Sequence, residues 1–208
     1  HYWVIDGQHT MNAVKQKFGD DNYPVVCKVY HGLTKEEESQ LFYEFNTAKK
    51  KMSSASMLKS QAVYGDEEVK SFLQHTKDAG FVIDPAKRVC CRYGIQAVKK
   101  AQTLFTRLGP EMYVRMLTLI KDTWHGEQWS VSQNMLSGVG ALLQTYDENL
   151  DDEKFVSQLQ NISENQIIRG AGRYNEESVP VSYACSMVDF YNKGLRKGKL
   201  KRVLLLED

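Results

Sequence analysis

At 208 residues and 23.8 kDa, with 42% hydrophobic and 25% charged residues, the chain has an ordinary globular composition and the length for one substantial domain or two small ones. A mean hydropathy of -0.48, and no apolar run near the roughly 18 residues that span a bilayer, exclude a disordered or membrane-spanning class. Lys and Arg number 27 against 26 Asp and Glu, so any basic surface must come from uneven distribution.

The chain opens on His1 and enters the apolar run Tyr2-Trp-Val-Ile5 at once, with no basic stretch before it. No secretory leader is expected, and the start reads as a cut inside a structural element. Residues 2–5 are β-branched and aromatic and predict a strand, Asp6-Gly7 a turn, and Met11, Val14 and Phe18 a helix ended by Gly19. A second strand is predicted over residues 24–30, with Pro24 at its start, where a missing N–H does least harm. Thr34-Lys-Glu-Glu37 is a capping-box sequence and opens a helix reaching about Asn46, with Leu41, Phe42 and Phe45 on its apolar side. Ser53 or Ser54 caps a helix that stops at Gly65, and Glu67 to Ala79 forms another, closed by Gly80. Residues 81–83 and 89–91 are the later strand candidates. The second half reads as helical: Ile95 to Leu108; a helix opened by Pro110 and carrying Met116, Leu117, Ile120 and Trp124; one opened by Ser130; one opened by Asp151 or Asp152; and Val181 to Tyr191. The predicted class is α+β, a small α/β head followed by a mostly α-helical bundle. It divides into residues 1–52, a helical domain over 53–192 and a basic arm over 193–208.

Cys27, Cys90, Cys91 and Cys185 show no C-x-x-C spacing, and His1, His9, His31, His75 and His125 form no metal-binding motif. Reduced thiols acting as small apolar residues in a cytoplasmic protein, with no dedicated metal site, are the expectation.

The densest chemical signal is Ile5-Asp6-Gly7-Gln8-His9-Thr10, set between a predicted strand and a predicted helix. Gly7 lets the backbone approach a ligand, the first N–H groups of the helix point outward at the positive end of its dipole, and Gln8, His9 and Thr10 add side-chain donors. Such a turn suits a phosphate, with Asp6 able to hold a metal-bound phosphate or act as a base. A plain turn with exposed polar residues is the alternative.

These residues carry a resemblance. Tyr2-Trp-Val-Ile-Asp-Gly-Gln-His-Thr-Met-Asn-Ala13, with the Pro24-Val-Val26 segment, resembles the D-G-Q-H-R-x-x-A box of the ParB/sulfiredoxin-like superfamily, including DGQHR-type proteins such as DndB and free-standing phage proteins. Leu41-Phe-Tyr-Glu-Phe-Asn46 is similar to the segment that follows the box in DGQHR-type proteins. The resemblance implies a ParB-like head, incomplete at its N-terminus, in which Asp6, Gly7, Gln8 and His9 line a nucleotide or phosphate site beside Thr10, with a nucleoside triphosphate and Mg as the candidate cofactor. Thr10 stands where the box has Arg, the residue best suited to clamp a phosphate with two hydrogen bonds.

Lys193, Arg196, Lys197, Lys199, Lys201 and Arg202 place six basic residues in ten positions with no acid among them. Each could contact a nucleic-acid phosphate; a solvated, frayed arm is the alternative. Lys49-Lys-Lys51 is a smaller basic run, and Arg88, Arg92 and Tyr93 could replace the missing box Arg with a clamp and a stacking ring. Trp124, Trp129 and Tyr146 read as core and interface aromatics, and residues 174–178 as a polar loop.

Three functions are compatible with these signals. One is a phage or mobile-element ParB-like protein, associated with DNA and binding a nucleotide through its box. Another is a nucleotide-dependent enzyme, a nuclease, NTPase or kinase, with Asp6 and His9 as its catalytic groups. The third is an interaction module with a degenerate box. The loss of the box Arg favours the first and third.

Overall fold

The computed structural model describes residues 3–19, 23–49, 54–84, 92–174 and 177–205. They are mostly helical, with one small sheet, and divide into two compact units, His1–Lys70 and Ser71–Asp208.

In the first unit, α1 (Gln8–Phe18) begins where Gly7 takes φ 94° and ends where Gly19 takes φ 64°, left-handed conformations that glycine adopts without steric cost. Met11, Val14 and Phe18 fall on this helix as expected, yet none of its residues is buried. α2 (Lys35–Lys49) opens with the predicted capping box: Thr34 N–H donates to Glu37 Oε2 at 2.8 Å and Glu37 N–H to Thr34 Oγ1 at 3.2 Å. α3 (Ser54–Val63) is tied to α2 by two serines, Ser39 Oγ donating to the Ser60 carbonyl at 3.2 Å and Ser60 Oγ to the Ser39 carbonyl at 2.8 Å. Asp66 then caps α4 (Glu67–Asp78) by accepting the Val69 N–H at 3.0 Å.

The strands expected at residues 2–5 and 24–30 require correction: no residue of 3–5 or 24–30 joins a sheet. Their composition suits a pleated, half-buried surface, but a strand exists only through its neighbour. Here Trp3 is 82% exposed and Val26 fully so, with no ladder to cover them.

The sheet belongs to the second unit. β1 (Val82–Ile83) pairs in parallel with β2 (Gly94–Ile95), Val82 opposite Gly94 and Ile83 opposite Ile95. Residues 89–91, the expected second strand, lie outside the described residues. Ile95, read from sequence as a helix start, is instead a fully buried strand residue, and α5 begins three positions later (Val98–Leu108). α6 (Pro110–Trp124) has Pro110 in its first turn and buries Met116, Leu117, Ile120 and Trp124, as its spacing predicts. Ser132, not Ser130, caps α7 (Gln133–Tyr146); the Ser130 hydroxyl donates to the Glu127 carbonyl at 2.7 Å within a 3₁₀ turn. Asp151 caps α8 (Asp152–Leu159), accepting the Lys154 N–H at 2.9 Å. α9 (Glu164–Ala171) carries a capping box formed by Ser163 and Gln166 and was not anticipated; α10 (Val179–Tyr191) was.

The core of this unit centres on α7 and α10. Leu136, Val139, Leu142 and Leu143 of α7 and Ala184, Met187 and Val188 of α10 are all fully buried. Gly138 permits the contact, because a Cβ there would stand 2.6 Å from the Tyr183 Cβ. A second buried cluster stacks Phe72, Phe105 and Tyr113, with centroid separations of 5.3 to 5.9 Å. Arg115 stitches α6 to the start of α8: Nε and Nη2 reach the two Asp152 carboxylate oxygens at 2.9 and 2.6 Å, and Nη2 also donates to the Leu150 carbonyl at 3.0 Å. Among the described residues, no helix is long and apolar enough to cross a membrane.

Candidate nucleic-acid interface

The box lies in a single turn. Gly7 precedes α1 with φ 94°, and Gln8, His9 and Thr10 form the exposed first helical turn. The Asp6 side chain folds back locally, Oδ1 accepting the Gly7 N–H at 2.8 Å. That bond satisfies a donor the phosphate reading would use. The structure thus brings Asp6 through Thr10 together as an open turn rather than a lined cavity.

The basic segment is organised differently from a frayed arm. Asn192, one residue beyond α10, grips the chain eight residues on: its Nδ2 donates to the Leu200 carbonyl at 2.9 Å, and its Oδ1 accepts the Leu200 N–H at 2.8 Å. Leu200 is buried, and the Tyr146 hydroxyl of α7 donates to the Lys201 carbonyl at 2.8 Å. Gly194 at φ 78° and Gly198 at φ 69° make the bends that bring the segment back. The closed loop exposes Lys193, Arg196, Lys197, Lys199 and Lys201, none of which forms an ion pair among the described residues.

Arg202, the sixth cation, has another task. Its Nη1 donates to Asp189 Oδ1 at 3.0 Å and to the Tyr174 hydroxyl, which in turn donates to Asp189 Oδ2 at 2.6 Å. The Tyr174 bond, and then the Asp189 charge, hold the guanidinium above its ordinary value. Burial first, and then Asp189, push the Tyr174 hydroxyl up, so it keeps its proton and remains a donor. This triad anchors the end of the loop, and Leu205 is buried just beyond it.

A family described as a family of unknown function (DUF6551) matches residues 1–202. The chain belongs to that family. No curated protein and no solved structure matches it. The DUF6551 match spans both the box and the whole basic loop to Arg202, so both features lie inside the family's bounds.

The other predicted site residues of this DUF6551 chain serve the fold where they are described. Arg92 pairs with Glu127 at 2.7 Å. Tyr93 sits at φ 71°, its N–H donating to the Gly126 carbonyl at 2.8 Å and its ring packing edge-on against Phe81. Arg88, Lys50 and Lys51 lie outside the described residues. Trp124 and Tyr146 are buried, and Trp124 meets Trp129 at 5.5 Å between ring centroids, in keeping with a core role. Burial pushes the Cys185 thiol up to about 11, which keeps it protonated and unreactive near neutrality. Cys27 is exposed, and Cys90 and Cys91 lie outside the described residues.

Sequence reasoning missed Asn192, Tyr146 and Asp189 as the clamps that turn the basic run into a surface. The available signal was apolar: Leu200 and Leu204-Leu205 at the end of a run of cations are unexpected in a solvated tail. It also missed Arg169 and Arg173, one helical turn apart, which with Lys193 line a groove of about 370 Å³ between α9 and α10.

Proposed function

We propose that this is a DNA-associated, cytoplasmic protein of ParB-like, phage or mobile-element type, in which the 193–201 loop holds the DNA backbone and the DGQH box binds a nucleotide phosphate. The observation that carries the reading is the closed basic loop. Lys193, Arg196, Lys197, Lys199 and Lys201 are exposed together on a backbone fixed by Asn192 and Tyr146. Cations held on a fixed surface contact phosphates without the ordering cost that a free tail incurs on binding.

The assignment of the head to the ParB/sulfiredoxin-like group rests on the Asp6-Gly-Gln-His9 resemblance and on the glycine-started helix behind it. Thr10 in place of Arg, and an Asp6 carboxylate already occupied by the Gly7 N–H, favour binding over catalysis at this turn.

Two measurements test the reading. Fluorescence anisotropy with a labelled DNA duplex of arbitrary sequence is expected to show saturable binding at low salt; none at any protein concentration reached sinks the DNA function. A nucleoside triphosphate with Mg²⁺ at a hundred times its dissociation constant is expected to stabilise the chain by about 2.7 kcal/mol, read as a rise in melting temperature. No rise with ATP, CTP or GTP removes the nucleotide from the proposal and leaves the loop.

A further inference from the structure

The groove between α9 and α10 gathers three cations from two elements: Arg169 and Arg173, on the last turn of α9 and just beyond it, and Lys193 just past the end of α10. Arg169, Arg173 and Lys193 are exposed and form no ion pair among the described residues. The acid on the groove wall, Asp189, is already ion-paired with Arg202 and accepts a hydrogen bond from the Tyr174 hydroxyl. The carbonyl ends of α9 and α10 weigh about half a negative charge each, so three cations leave the groove clearly positive.

The floor lies where α9 and α10 meet. α9 and α10 approach so closely that a Cβ on Gly170 would lie 2.1 Å from Ser186 Oγ, and that hydroxyl donates to the Ile167 carbonyl at 2.9 Å. Above this contact of Gly170 with the Ser186 side chain, Arg169, Arg173 and Lys193 line the groove. The volume, about 370 Å³, lies at the small end of ligand sites.

We infer that this groove is a phosphate seat for a nucleic-acid strand, with the forked guanidinium groups of Arg169 and Arg173 and the Lys193 ammonium contacting one or two backbone phosphates. Lys193 belongs to both the groove and the closed basic loop, so the seat extends the loop's cationic surface. The inference rests on the DNA reading above and locates part of its contact surface, adding Arg169 and Arg173 to the cations of the basic loop.

The test compares the unaltered chain with the double variants R169Q/R173Q and R169K/R173K, measuring affinity for a labelled duplex across a salt series. Both arginines are exposed, so all three proteins are expected to melt together. R169Q/R173Q is expected to bind about tenfold or more weakly at 0.1 M salt, with the slope of log affinity against log salt shallower by about one to two, while R169K/R173K keeps the slope. If the unaltered chain binds and R169Q/R173Q matches it in both affinity and slope, the groove is overturned while the loop stands. If the unaltered chain binds no duplex, the DNA reading itself fails and takes the groove with it.

Discussion

Gly138→Ala lowers the melting temperature by roughly 4–8 °C, corresponding to about 2 kcal/mol for a chain of this size. The added Cβ would lie 2.6 Å from the Tyr183 Cβ, well inside contact distance. Both carbons are fixed to their backbones, so no side-chain rotation relieves the clash and α7 and α10 must part. Overpacking of that kind costs about 1–3 kcal/mol, and separating two helices whose facing residues are fully buried adds to it. Alanine returns about 1 kcal/mol of helix propensity, which is too little to offset it. Gly140→Ala, two residues along the same helix, is the matching control. There the added Cβ meets the far end of the Leu104 side chain, Cδ2 at 2.8 Å, which has rotatable bonds where the Tyr183 Cβ has none, so the change is expected to cost clearly less. Thermal denaturation of both variants checks the pair, and equal melting temperatures would contradict the account of the α7–α10 contact.

Replacing Lys197, Lys199 and Lys201 together by Gln weakens DNA binding on the order of a hundredfold or more at 0.1 M salt. Each phosphate contact on duplex DNA releases close to one counterion, so three lost contacts forfeit about 2.7 powers of the salt concentration. All three lysines are exposed, and the loop is held by the Lys201 carbonyl, the Leu200 backbone and the Arg202 triad, none of which the substitutions touch. The fold and the melting temperature are therefore expected to stay put while affinity falls. Retained affinity in the triple variant, measured by anisotropy, would remove the loop from the interface.

Much of the helical framework was legible because its signals are local. The Thr34–Glu37 box, Pro110 at the head of α6, the Asp151 cap and the glycines at 7, 19 and 80 each act within a turn of the chain, and the structure uses each as the sequence implies. The errors arose where the deciding partner is distant. Residues 24–30 have a strand's composition but no neighbour to pair with, whereas Gly94-Ile95, with little strand character, pairs because Val82 and Ile83 lie alongside. Gly138 looks like a weakness in a helix until the Tyr183 backbone stands next to it. For the candidate site, the run of cations was visible, but its closure depends on Asn192, Tyr146 and Asp189, whose partners lie 8, 55 and 13 residues away. Such pairings are set by packing and carry no local sequence signature.

The role proposed for the fixed basic loop is to hold nucleic acid through its phosphates. The most direct test is the salt dependence of duplex binding by the full chain. Five exposed cations at close to one released counterion each predict a slope of log affinity against log salt of about -4 or steeper, and a fall in affinity of about a hundredfold or more between 50 and 200 mM salt. Binding whose affinity does not change across that range would contradict it.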